Sequence, residues 1–66
     1  MIWVLTRDGK RLRCEVSHAD AEGHYRIVLI SPGAPAVVED LAGPVAVIER
    51  TVAVMNQLRG EGWQLS

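Results

Sequence analysis

Two alternating runs of apolar and polar residues meet at Asp8-Gly9, and this constrains the fold more than anything else in the chain. Asp-Gly suits a two-residue hairpin turn, because both central positions need φ > 0. The turn fixes a register in which Arg7 opposes Lys10, Leu5 opposes Leu12 and Trp3 opposes Cys14. Trp3, Leu5, Leu12, Cys14 and Val16 then share one face; Ile2, Val4, Thr6, Arg11, Arg13 and Glu15 share the other. A slip of one residue would bury Arg11 and Arg13, so the pattern specifies its own pairing.

After a polar loop, His18 to Gly23, a third strand is expected from His24 to Ile30. Pairing Ser17 with His24 sets Val16 against Tyr25, Cys14 against Ile27 and Leu12 against Leu29. It also sets Glu15 against Arg26, an opposite-charge pair worth roughly 0.2–1 kcal/mol. Ser31 to Pro35 reads as a turn. Ala36 to Glu39 reads as a short fourth strand, suited to an edge because Pro35 precedes it. Pro44 fits the first turn of a helix, with Gly43 or Asp40 as its cap. Gly60 is expected to end it in the left-handed conformation. Val45, Val47, Ile48, Val52, Val54, Met55 and Leu58 fill half of the helical wheel, wider than a small sheet needs to cover. Beyond Gly60, Gly62 lets the chain turn back and place Trp63 on the core.

The expected fold is therefore α+β: a three- to four-stranded antiparallel meander with one C-terminal helix on its inner face. It is a single domain over residues 1–66, with the sheet over about 2–39 and the helix over about 41–60. A chain of 66 residues buries only about 60% of its unfolded surface and usually needs a staple. One cysteine forms no internal disulfide, and no zinc-type spacing is present, so oligomerisation is the remaining device. A homodimer is the expectation.

The outer face of the sheet is the candidate contact surface. Its expected rows are Ile2–Glu15–Arg26, Val4–Arg13–Val28 and Thr6–Arg11–Ile30, with Ile2, Val4, Val28 and Ile30 beside Arg11 and Arg13. The spare edge of the helix stripe and the Ile2–Thr6 edge strand are further candidates. The bland reading is a solvated face with ordinary exposed aliphatics.

Five of the seven cationic residues, Arg7, Lys10, Arg11, Arg13 and Arg26, fall in the first 26 positions, which makes weak single-stranded nucleic-acid binding the alternative. The net charge of −1 argues against a general polyanion binder. Single-strand binders stack bases on exposed aromatics. Here Trp3 and Tyr25 point to the core, and Trp63 lies beyond the helix. A meander followed by a helix resembles transcriptional-coactivator and Whirly-type single-strand DNA binders in element order alone.

No catalytic constellation is present, and the chain is not expected to be an enzyme. Cys14 sits between core residues, far from the exposed setting a reactive thiol needs. Glu39-Asp40 suits a strand end and a helix start, where negative charge favours the helix dipole. His18, Asp20, Glu22 and His24 alternate in metal-competent fashion, and would favour zinc, nickel or manganese over calcium. Nothing in the sequence turns them inward, so a solvated loop is the expectation, with no metal and no cofactor. No run approaches the roughly 18 apolar residues of a membrane span. With one thiol and no export signal at the N-terminus, the expected compartment is the cytoplasm.

Trp3-Val4-Leu5 with Asp8-Gly9, and Leu58 with Gly62-Trp63, resemble the two ends of a group of short bacterial proteins without assigned activity. The likeness implies a β-meander plus helix and carries no function.

Overall fold

The Asp8-Gly9 turn forms as its residues require. Asp8 takes φ 52° and Gly9 φ 75°, and β1 (Ile2–Arg7) pairs with β2 (Lys10–His18) in the register deduced above. The computed structural model describes all residues, Met1–Ser66. β3 (His24–Ile30), β4 (Val37–Ala42), helix α1 (Pro44–Gly60) and β5 (Gln64–Leu65) follow. They make one antiparallel sheet of five strands, in the order β4-β3-β2-β1-β5.

Four details correct the sequence reading. The β2–β3 pairing is displaced by two residues: Cys14 opposes Leu29, Val16 opposes Ile27, and Glu15 opposes Val28 rather than Arg26. A two-residue slip keeps every side chain on its face, so alternation could not detect it. In the observed register the Asp20 Oδ1 accepts the Glu22 and His24 amides and tightens the loop. Next, β4 extends to Ala42, so Asp40 is a strand residue and Gly43, with φ 92°, is the cap. The helix therefore begins at Pro44, not near 41, and has no acidic residue in its first turn. Gly62, not Gly60, takes the left-handed position, with φ 94°. The Gly62 amide donates to the Arg59 carbonyl, and the Trp63 amide to the Leu58 carbonyl at 3.0 Å. That is the double bond of a Schellman ending, with Trp63 and Leu58 in its apolar contact. Finally, β5 pairs Leu65 with Leu5 and Gln64 with Thr6, so the Leu5–Thr6 part of β1 is not an edge.

The helix leaves one edge of the sheet after β4 and delivers the chain to the opposite edge at β5. Its 17 residues span about 26 Å, enough to cross four strand spacings of about 19 Å in all. It lies across the inner face with Val47 over Cys14 and Ile27. Val54 and Leu58 sit over Leu5, Leu12 and Trp63. Trp3, Leu29 and Met55 pack against both groups.

Only 8 of 66 residues are buried, all of them apolar. The accessible surface is 4494 Å², about 400 Å² more than a compact monomer of this mass exposes. The radius of gyration is 12.1 Å, against about 11 Å for a compact chain of this length. One helix cannot cover a five-stranded sheet, and apolar surface is left open on both flanks of it.

Candidate functional site

Ile2, Val4, Arg11, Arg13, Val28 and Ile30 do share the outer face, in rows altered by the β2–β3 displacement. Ile2, Glu15, Val28 and Val38 form one row; Val4, Arg13 and Ile30 form the next. Val38 joins the aliphatic set because β4 continues the sheet. The middle of this face is ionic. Arg13 Nη2 lies 2.6 Å from Glu15 Oε1, and the Arg26 guanidinium donates to both Asp40 oxygens, at 2.7 and 3.2 Å. Arg26 therefore finds its acid on β4, not at Glu15. The Arg26 hydrogen bond holds the Asp40 carboxyl below the usual carboxylate range.

The five cationic residues do not form one strip. Arg11, Arg13 and Arg26 lie on the outer face, while Arg7 and Lys10 continue the inner-face set of Leu5 and Leu12. The Arg7 guanidinium stacks over Trp63 at 4.5 Å and donates to the Glu61 carbonyl at 2.8 Å. Trp3, Tyr25 and Trp63 all belong to the inner side, so the outer face carries no aromatic platform.

The inner side holds the less polar surface. Beside the N-terminal half of α1 runs an open groove of about 410 Å³, walled by Met1, Trp3, Val16 and Tyr25 on the sheet and by Val47, Ile48 and Val52 on the helix. It contains no charged side chain. Met1 is fixed at its rim, because its backbone exchanges two hydrogen bonds of 2.8 Å with Val16. Val45, Ile48 and Val52 stand out of the helix at 67%, 61% and 55% exposure. Their spacing of three and four residues makes them a single ridge along one wall of the groove. The overly wide apolar stripe was the sequence signal for this surface: part of it faces the sheet, and Val45, Ile48 and Val52 face out.

The polar loop gathers Asp20, Glu22 and His24, whose ligand atoms lie within 4.8 Å of one another, all exposed. Asp20 Oδ2 is 2.7 Å from His24 Nδ1, a contact that lowers the Asp20 pKa. His18 is turned away to stack on Tyr25, with ring centroids 4.8 Å apart. Cys14 is fully buried, and burial pushes its thiol pKa up. Glu39 and Asp40 serve neither the helix start nor each other: Glu39 accepts from Arg50 Nε at 2.9 Å, and Asp40 accepts from Arg26. No helix is long and apolar enough to cross a membrane. No protein-family model, curated protein or solved structure matches this chain.

Proposed function

We propose that this domain is a non-enzymatic interaction module that acts as a homodimer, with the groove beside α1 and its adjoining ridge as the contact. The observation that carries this reading is a groove without charged side chains lying directly against three exposed aliphatics. Interface cores are depleted of charge in the same way. A two-fold axis would lay the Ile48–Val52 ridge of each subunit in the groove of the other, satisfying the self-complementarity of a symmetric dimer. The surplus of about 400 Å² of monomer surface is half of the roughly 800 Å² per partner that a stable interface buries. The outer face is the weaker candidate, because the Arg13–Glu15 pair sits among its aliphatics. A buried thiol without a disulfide partner suits a reducing compartment such as the cytoplasm.

Nucleic-acid binding is the poorer reading. Two of the three arginines on the outer face are already paired with carboxylates, and no exposed aromatic accompanies them.

Light scattering on a sizing column, across a range of loadings, tests the proposal. A mass of twice 7.2 kDa at the higher loadings supports it. A 7.2 kDa species at every loading overturns it.

A further inference from the structure

The opposite flank of α1 holds a second cavity of similar size and different chemistry. Its volume is about 400 Å³, within the range of small-molecule sites. Leu12, Leu58 and Trp63 form part of its floor, while Arg7, Lys10 and Arg50 stand around it. Each of these cations keeps donors to spare. Lys10 takes part in no salt bridge. Arg7 donates through Nη1 to a carbonyl and has no carboxylate partner. Arg50 engages Glu39 through Nε alone, leaving both Nη groups unused.

One acid, Glu61, lines the same space, and a second, Glu39, pairs with Arg50 from outside the lining. Glu61 accepts a hydrogen bond from Gln57. With Arg50 offset by Glu39 and Glu61 set against Arg7 and Lys10, a surplus of one positive charge remains. We propose that this cavity binds a small organic carboxylate, its carboxylate group held by Lys10 and the free Arg7 and Arg50 donors and its short apolar body on the Leu12–Leu58–Trp63 floor. A single surplus charge matches a monoanion, and planar guanidinium groups suit a carboxylate. The site lies across the helix from the dimer groove, so it stands or falls separately from the proposed association.

The test is a titration of the isotopically labelled full chain with benzoate, followed by proton–nitrogen NMR, with benzamide as the uncharged control of the same shape. Benzoate is expected to shift the Trp63 indole and the Ser31 and Gln57 amides, with a Kd of about 1 mM or tighter. Benzamide and the Lys10→Ala variant should each bind about tenfold more weakly, as loss of one charge-assisted hydrogen bond implies. Lys10 is exposed at a strand end, so its loss leaves the fold intact. Equal binding of benzoate and benzamide overturns the proposal. So does unchanged affinity in Lys10→Ala, or shifts confined to Trp3, Val16 and Ile48. Loss of dimerisation with these shifts retained would refute the association reading alone.

Discussion

Trp63→Ala is the substitution that interrogates this fold most directly. Trp63 lies just beyond the helix, yet it is 5% exposed and shares a cluster with Leu5, Leu12, Val54 and Leu58. Truncating a buried tryptophan costs about 3–5 kcal/mol through lost transfer energy and the cavity left behind. Loss of the ring beneath Arg7 adds about 0.5–1 kcal/mol. A domain of 66 residues holds about 3–10 kcal/mol in total. The variant should therefore lose between about a third and all of the domain's stability at 25 °C. Urea unfolding followed by far-ultraviolet circular dichroism, at one fixed protein concentration, measures the loss. Arg7→Ala supplies the internal check. In the wild-type background it removes the stack over Trp63, whereas in Trp63→Ala there is no ring left to remove. Its cost should therefore shrink in the double variant. A loss below about 1 kcal/mol for Trp63→Ala would refute the placement of this residue in the core. An Arg7→Ala cost that is equal in both backgrounds would refute the stacking.

Ile48→Asp should leave the monomer's circular dichroism unchanged and raise the dimer Kd by two to four orders of magnitude. The size follows from losing about 1.5–3 kcal/mol of burial on each of two symmetric subunits; a sedimentation isotherm identical to wild type would rule out the ridge as the contact. Gly62→Ala should destabilise by at least about 1 kcal/mol, since φ 94° disfavours any Cβ, and the added carbon would also meet Arg7 Cδ at 3.4 Å. An unchanged urea midpoint would contradict the Schellman geometry. The Asp40 carboxyl is depressed in the fold by Arg26, so its contribution is present above the ordinary carboxylate pKa of about 4 and is lost as pH falls through the folded value. Asp40→Asn should accordingly lose less melting temperature than wild type between neutral pH and about pH 3. Parallel curves for the two proteins would show that the pair does not contribute.

The features that sequence reasoning caught are those in which local chemistry admits one solution. Asp8-Gly9 permits one tight turn, and the turn sets every pair from Ile2 to Glu15. The third strand's faces were legible for the same reason, but its register was not. The loop before it carries no turn dipeptide that fixes a pairing, and the opposite charges of Glu15 and Arg26 point to a register in which Arg26 lacks its better partner. That partner is Asp40, which the sequence reading places beyond the fourth strand as one of two candidate helix caps. β5 escaped because two residues have no period to recognise. The reversal at Gly62 is legible, but that the two residues after Trp63 pair with Leu5 and Thr6 is not. The apolar stripe of α1 was read correctly as too wide. Which part of it the sheet would cover depended on how the helix crosses, and that is set by β5 lying beyond β1. The cationic cluster failed as a surface because alternation sends Arg7 and Lys10 to the opposite side from Arg11, Arg13 and Arg26.

The pairing of Leu5 with Leu65 also governs the order in which this molecule can assemble. The contacts of β1 with β2 close over a two-residue turn. Those of β1 with β5 wait for nearly the whole chain, and the entropy of closing so long a loop must be met before they form. The meander can thus exist before its cover does. During that interval Leu5, Leu12 and Cys14, the three most shielded side chains of the native state, face water and other unfinished chains. Exposure to misassembly is then governed by how fast the helix and Trp63 arrive rather than by how stable the finished domain is.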